Sequence, residues 1–303
     1  PHGAFFGVAA PVAVDLARSG QAGRAVGRVM LGIPIANVLG VPGATWLGQA
    51  YGWRTAYVLV AVIGFATVAL IAYAVPHLPA DPTRTVRSEL SALTSVQVWL
   101  TLGVGAVGFG GIFAMYSYIA PTVTEVTGLP ASAVPIFLLV YGVSGLIGNI
   151  VAGRMGDWSV IRSIVIGLAG IGVALGVFAA VASYAVAALV VLALISVLAS
   201  VLVINLQLRL MQVAGSAQTL AAASNHAALN LANALGAWLG GLVIAAGFGY
   251  RAPSVVGVGL AALGLVILGI SLLIHRRDHP GRVSIRPGGP SGRDASSSVA
   301  QVS

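Results

Sequence analysis

Three polar residues recur on one face of a long apolar stretch in the C-terminal third of the chain. His226, Asn230 and Asn233 are spaced at i, i+4 and i+7, and Ala237 and Gly240 continue that face with small residues. In a helix this spacing aligns the side chains. Amides can bind the polar atoms of a small molecule, and histidine titrates near neutral pH and can carry a proton. The pattern predicts a ligand-binding face, with interhelical hydrogen bonding as the alternative for each asparagine.

Other polar or aromatic residues within similar apolar stretches are further candidates to line a cavity. Polar groups inside a membrane are costly, so their presence there favours a role in binding or in ion movement. These candidates are Asn37, Tyr116, Tyr118, Tyr141, Asn149 and Asn205.

The composition places these stretches in a membrane. Of 303 residues, 58% are hydrophobic and 7% are charged, whereas soluble domains carry about 25% charged residues. The chain has no cysteine, and its seven acidic residues lie mostly in loops, so we expect no enzyme and neither a cofactor nor a metal. All fifteen basic residues are scattered arginines, which argues against nucleic-acid binding.

The lengths of the apolar stretches predict an all-α integral membrane protein. A helix needs about 20 mostly apolar residues to cross a bilayer, and windows of that size give nine spans, with the weakest boundary at Ser183 and Tyr184. The spans are 2–17, 26–49, 55–76, 96–121, 133–152, 160–182, 185–208, 218–246 and 253–274.

The arginines predict the orientation of these spans, because cytoplasmic loops collect positive charge. If the spans alternate in direction, thirteen arginines fall on one side and only Arg54 and Arg251 on the other. We therefore expect a plasma-membrane protein with a cytoplasmic C-terminus and a disordered basic tail over residues 276–303.

A weak internal repeat predicts how the spans are grouped. Residues 36–40 and 232–236 share an Ala-Asn-x-Leu-Gly pattern, and residues 52–54 and 249–251 share a Gly-aromatic-Arg pattern. Both pairs are almost equally far apart, six predicted spans in each case, which is typical of transporters built from two six-helix halves. We therefore expect a fragment equivalent to helices 4–12 of twelve, with residues 1–76 from the first half, a cytoplasmic linker at 77–95, and the second half at 96–275.

At these positions the chain resembles the major facilitator superfamily, in particular its bacterial twelve-span drug and sugar efflux branch. Residues 1–7 resemble the fourth helix of arabinose-efflux and chloramphenicol-efflux permeases, and residues 36–43 resemble the fifth. The resemblance implies an antiporter motif at Gly32, Gly40, Pro42 and Gly43, although Val41 interrupts its Gly-Pro pair. It also implies a cytoplasmic gating loop at Gly153, Arg154, Asp157 and Arg162.

The function implied by this resemblance is proton-coupled efflux of a small amphiphilic drug or sugar by a monomer in the lipid bilayer. The coupling acid of related antiporters lies on the first helix, which would precede Pro1. An importer or facilitator of the same fold, and a fragment unable to transport, therefore remain as alternatives. We also expect Gly32, Gly40, Gly43 and Gly48 to let a neighbouring helix approach closely.

Overall fold

The structure, a computed structural model, describes residues 2–75, 90–215 and 217–278, and every regular element in these ranges is helical. Helix α1 is His2–Asp15. Helix α2 is divided into Ala22–Met30, Gly32–Ile35, a π-helical turn at Ala36–Gly40 and Val41–Tyr51. Helix α3 is Trp53–Ala74. Of the predicted linker at 77–95, residues 77–89 lie outside the described residues and residues 90–95 are described.

The remaining helices form the larger part of the bundle. After a 3-10 turn at Ser91–Thr94, helix α4 runs as Val96–Gly103, a π-helical Val104–Gly108, Gly110–Tyr116, Ile119–Pro121 and a π-helical Thr122–Val126. A 3-10 turn at Ala131–Ala133 leads into α5, Val134–Val181. Helices α6, α7 and α8 are Ala185–Val213, Gln218–Ala245 and Ala252–Asp278.

Within the described ranges, six helical stretches are long and apolar enough to cross a membrane: Trp53–Ala74, Val96–Tyr116, Ala131–Val181, Ala185–Val213, Thr219–Ala245 and Ala252–His275. The first two predicted spans are helical but fall outside this set, because α1 has 14 residues and α2 is divided. The spans predicted at 133–152 and 160–182 share α5, where the backbone of Ser159 is extended (φ −170°, ψ 111°) and separates two arms, 134–158 and 160–181.

Two of the helix ends that differ from their predicted positions change the placement of charged residues. Helix α6 continues to Val213, so Arg209 is a buried helical residue rather than a loop arginine. Helix α8 continues to Asp278, into the first residues of the predicted tail, and residues 279–303 lie outside the described part. The weakest predicted boundary is confirmed, since α5 ends at Val181 and α6 begins at Ala185.

The main core surrounds α4, which packs against the second arm of α5 and against α7 and α8. Glycines allow this close packing. A Cβ atom on Gly111 would lie 2.5 Å from the carbonyl oxygen of Gly257 in α8, and one on Gly236 in α7 would overlap the carbonyl oxygen of Gly110. Small residues at helix crossings are the usual way in which membrane helices gain dispersion contacts.

The predicted internal repeat agrees with the turns but not with the helices that precede them. Gly52 and Gly249 each begin a turn with a positive φ, 88° and 73°, a conformation that glycine adopts at little cost. Residues 36–40, however, form the π-helical turn of α2, whereas residues 232–236 lie inside the regular helix α7.

Candidate functional site

A carboxylate at the end of the first arm of α5 meets the start of α2. The Oδ1 atom of Asp157 accepts hydrogen bonds from the backbone N–H groups of Gly23 (2.7 Å) and Arg24 (3.4 Å). These N–H groups belong to the first turn of a helix, where intrahelical partners are lacking and negative charge is favoured. The Nε atom of Arg24 lies 3.1 Å from Oδ2, at an angle that makes this an ion pair without a hydrogen bond. We call this arrangement the Asp157 contact.

Glycines bring the two backbones together at the Asp157 contact. A Cβ atom on Gly23 would overlap the carbonyl oxygen of Gly153, and one on Gly153 would lie 3.0 Å from the Cα atom of Arg24. One turn further along α2, a Cβ atom on Gly27 would lie 3.0 Å from the carbonyl oxygen of Asn149. The hydrogen bonds of Asp157 to α2 therefore depend on the absence of side chains at Gly23 and Gly153.

An apolar cluster lies beside the Asp157 contact. It contains Val26 and Met30 of α2, Ala152 of α5, and Ile204 and Leu208 of α6, each at most 5% exposed. The Asp157 contact and this apolar cluster thus lie at the same end of the bundle.

The two other charged residues of the predicted gating loop do not join this contact. Arg154 is exposed, and the guanidinium of Arg162 lies 5.3 Å from the ring centre of Trp158. The sequence places Asp157 close to Arg154 and Arg162 along the chain, but the contacts that the structure gives Asp157 are made with residues of α2. The partners are Gly23 and Arg24, which stand more than 130 positions earlier in the chain.

The glycines of the predicted antiporter motif do not pack against a neighbouring helix in the described part of the chain. A Cβ atom on Gly32 or Gly43 would meet nothing within 4 Å, and one on Gly40 or Gly48 would have its nearest neighbour, at 3.9 Å, within α2 or at the start of α3. The predicted close approach is therefore not found here, and the motif coincides instead with the division of α2. The side chains of Asn37 and Pro42 lie outside the described residues.

The predicted polar face of α7 divides into a buried and an exposed part. His226 is buried, whereas Asn230 and Asn233 are exposed. Gly240, which was placed on the same face, packs against α4, where its Cβ atom would lie 2.9 Å from the carbonyl oxygen of Ala114.

The three candidate tyrosines connect α4 to its neighbours. The rings of Tyr116 and of Tyr141 in α5 have centroids 4.5 Å apart and are both half-buried. The hydroxyl of Tyr118 donates a hydrogen bond of 2.8 Å to the carbonyl oxygen of Ala237 in α7. The first two thus combine an aromatic pair with partial exposure, while Tyr118 is held by the helix interface.

Asn149 and Asn205 are buried between α5 and α6. The side-chain amide of Asn149 donates to the carbonyl oxygen of Gly145 at 2.8 Å and lies 3.5 Å from the hydroxyl of Ser200. That of Asn205 donates to the carbonyl oxygens of Val201 (2.8 Å) and Ala152 (3.3 Å). Each amide thus bonds both within its own helix and to the neighbouring helix, and a cavity-lining role for these two residues stays a prediction.

Comparison with known proteins identifies the family. Residues 2–225 match the Major Facilitator Superfamily. This chain belongs to the Major Facilitator Superfamily. It is therefore a multi-pass membrane transporter and not an enzyme, as the composition indicates.

Relatives of known sequence are also transporters. The chain is 33% identical over 270 residues to the inner membrane transport protein YdhP of Escherichia coli (strain K12), covering 89% of this chain and 69% of YdhP. It is 32% identical over 283 residues to the MFS-type transporter YtbD of Bacillus subtilis (strain 168), covering 91% and 71%, and 30% identical over 252 residues to AraJ of E. coli, covering 83% and 64%. The chain thus spans about two thirds of each relative's length.

A solved structure supports the fold. The crystal structure of a bacterial homologue of the iron transporter ferroportin, in an outward-facing state, superposes with a TM-score of 0.55 at 15% identity, covering 86% of this chain and 67% of that one. At that identity the likeness concerns the fold of the superfamily alone.

The structure adds Asn225 and Arg209 to the polar residues predicted for this transporter, and it places Gln207, a further cavity-lining candidate of the sequence, beside Asn225. The side-chain amide of Asn225 in α7 donates a 2.6 Å hydrogen bond to the side-chain oxygen of Gln207 in α6, and both residues are almost fully buried. Arg209 is 7% exposed, and its Nε and one terminal nitrogen have no hydrogen-bond partner among the described residues. An arginine close to the end of an apolar stretch is interpreted as a loop residue, so its burial has little signal in the sequence.

Proposed function

We propose that this transporter exports a small amphiphilic drug or sugar in exchange for protons, by alternating access between residues 1–76 and residues 96–275. The Asp157 contact carries the proposal. It joins α2 of the first group to α5 of the second through a carboxylate at a helix N-terminus, so it can form in one state and break in the other without unfolding either group.

The Asp157 contact closes the cytoplasmic end of the transporter in this proposal. The orientation rests on the arginines: Arg24, Arg154 and Arg162 all lie near Asp157, and the positive-inside rule places such residues in the cytoplasm. The apolar cluster of Val26, Met30, Ala152, Ile204 and Leu208 supports the same role, because it seals this end against water. The C-terminus is then cytoplasmic, since α8 ends on the same side.

Substrate binds, in this proposal, beside the exposed polar part of α7. Asn230 and Asn233 are exposed on α7, among mostly apolar neighbours, and exposed amides are costly against lipid. Tyr116 and Tyr141 offer half-buried aromatic surface for the apolar part of the substrate. We assign the proton to His226, a buried histidine one turn from Asn230 on the same helix face.

The proposal is tested by efflux from intact cells that express the chain. Cells are loaded with radiolabelled chloramphenicol or L-arabinose, and retention is compared with vector-only cells before and after a protonophore collapses the proton gradient. We expect expression of the chain to lower the retention of one of the two probes, and we expect this decrease to require the proton gradient. The variant His226→Gln should abolish the decrease. Asn230→Ala should weaken the apparent affinity and leave the gradient dependence unchanged.

Each alternative predicts a different result in this assay. Export that persists after the gradient collapses would contradict proton coupling. Expression that raises retention would indicate an importer or facilitator of the same fold. Equal retention in expressing and vector-only cells, with the protein present in the membrane, would indicate a chain that does not transport these probes.

A further inference from the structure

A cavity with a basic lining lies between the end of α1 and the start of α2. Its volume is about 550 Å³. Arg18, Gln21, Arg24 and Arg28 contribute its polar lining, and Leu16 with three alanines contributes the apolar part. Arg24 and Arg28 stand one turn apart on α2 and so share a face, while Arg18 approaches from the turn that follows α1.

The charges around this cavity are unbalanced. No acidic side chain belongs to its lining. In the described part of the chain, the carboxylate within ion-pair distance of these arginines is that of Asp157, which meets Nε of Arg24. Arg18 and Arg28 therefore add two positive charges without a described carboxylate in ion-pair range, and both side chains are exposed. An anion entering the cavity would meet three guanidinium groups in a space partly screened from water.

The apolar lining favours a phospholipid over a free anion. A hydrated inorganic anion gains nothing from Leu16 and the alanines, whereas the glycerol and first acyl carbons of a lipid bury apolar surface there. The cavity lies between the end of the first predicted span and the start of the second, and basic pockets between membrane helices at the cytoplasmic side bind anionic headgroups. Its volume is many times the roughly 30 Å³ occupied by a water molecule in the liquid, so a phosphodiester and ordered water fit together.

We propose that the cavity between α1 and α2 binds the phosphate headgroup of an anionic phospholipid through Arg18, Arg24 and Arg28. Arginine presents a fork of N–H donors that matches phosphate. Because Arg24 uses Nε towards Asp157, its remaining N–H groups are available to the headgroup. The lipid and the Asp157 contact therefore share one arginine, and headgroup binding holds Arg24 in place. This last consequence rests on the proposed function of the contact, whereas lipid binding itself does not.

The test measures lipid binding without transport. The chain is purified, reconstituted in phosphatidylcholine nanodiscs, and titrated with spin-labelled phosphatidylglycerol. The variant Arg18→Gln/Arg28→Gln leaves Arg24 and Asp157 intact, and its matched control is Arg54→Gln/Arg251→Gln, which also removes two arginines. A basic residue near an anionic lipid surface contributes about 1 kcal/mol, or about fivefold in affinity, so we expect about thirtyfold weaker binding in the first variant and little change in the control.

Three results would overturn the proposal. Equal losses in the two double variants would show an effect of net charge alone, and unchanged binding in Arg18→Gln/Arg28→Gln would show that the cavity is not the site. Displacement of the labelled lipid by inorganic phosphate at equal concentration would identify a free-phosphate site instead. Arg18→Lys/Arg28→Lys checks folding, because it keeps both charges and loses only the guanidinium forks, so it should bind the labelled lipid more tightly than Arg18→Gln/Arg28→Gln. If the lipid binds as expected but the efflux assay shows no export, the proposed function fails and the lipid-binding proposal still holds.

Discussion

Replacing Asp157 by asparagine tests whether the Asp157 contact holds one end of the transporter closed. The new side chain would still offer an oxygen to the N–H groups of Gly23 and Arg24 but would lose the negative charge. A charge at a helix N-terminus contributes about 0.3–1 kcal/mol on the surface and up to about 2 kcal/mol when partly buried. The Asp157 side chain is 9% exposed, so the upper part of this range applies. The Arg24 side chain is 47% exposed, so the ion pair adds only a few tenths of a kcal/mol.

These terms give a loss of about 1–2 kcal/mol, which is a fivefold to thirtyfold shift towards the open end. Arg24→Gln removes only the half-exposed ion pair and should shift the equilibrium by less than about threefold. The ranking of the two variants therefore separates a helix-terminus contact from a simple salt bridge, for which both changes would be equivalent.

Distance measurements between spin labels can read this equilibrium directly. The chain has no native cysteine, so Ser19→Cys and Trp158→Cys, both at exposed positions flanking the contact, give a single labelled pair. We expect a short distance to dominate in the parent and a longer one to grow in Asp157→Asn. The reasoning is refuted if Arg24→Gln lengthens the distance as much as Asp157→Asn, or if Asp157→Asn leaves the distribution unchanged.

Three further outcomes are expected. A membrane-impermeant maleimide should label Ser132→Cys in intact cells and Ser19→Cys only after permeabilisation. The reason is that an odd number of predicted spans separates these two exposed residues. The reverse labelling pattern would contradict the proposed orientation. Gly153→Ala should open the Asp157 end in the same distance assay, since its Cβ would lie 3.0 Å from backbone atoms of α2, while Gly32→Ala, with open space around it, should not. Tyr118→Phe removes the hydrogen bond to α7 and should lower the unfolding free energy in mixed micelles by about 0.6 kcal/mol, the average for such bonds between membrane helices; no change would show that water replaces the hydroxyl.

The positions of the helices could be predicted from the sequence because the bilayer leaves few alternatives. Backbone groups in hydrocarbon must be paired within the segment, so a run of about 20 apolar residues implies a helix, and even the short turn at Ser183 and Tyr184 was located. Where the prediction failed, the cause was local. In α5 the break occurs at the single residue Ser159 rather than over the whole predicted gap 153–159. Helix α2 is divided near two prolines and several glycines, and this division does not change mean hydropathy over a span-sized window.

The candidate site was harder to predict because the rotation of a helix about its axis is not encoded in its composition. Asn149 and Asn205 have the same residue type and a similar apolar setting as Asn230 and Asn233, yet the first pair is buried between α5 and α6 and the second pair is exposed. The choice depends on which neighbour lies against each face. The partner of Asp157 was missed for a similar reason, since Gly23 and Arg24 lie far away in sequence and use their backbone N–H groups, which are not specific to a residue type.

In the proposed closed state, two interactions at the Asp157 end have different roles. Burying a Val or Met side chain contributes about 1.5–3 kcal/mol, so Val26 and Met30 together stabilise closure more than the charge of Asp157 does. Apolar burial tolerates small shifts in position, however, and does not specify one register between α2 and α5. The hydrogen bonds of Asp157 do specify it, because Oδ1 reaches the N–H group of Gly23 only when Gly23 and Gly153 lie backbone to backbone. A transporter that must open repeatedly gains from this division, since the directional polar contact sets the geometry while non-directional burial supplies the larger part of the stabilisation.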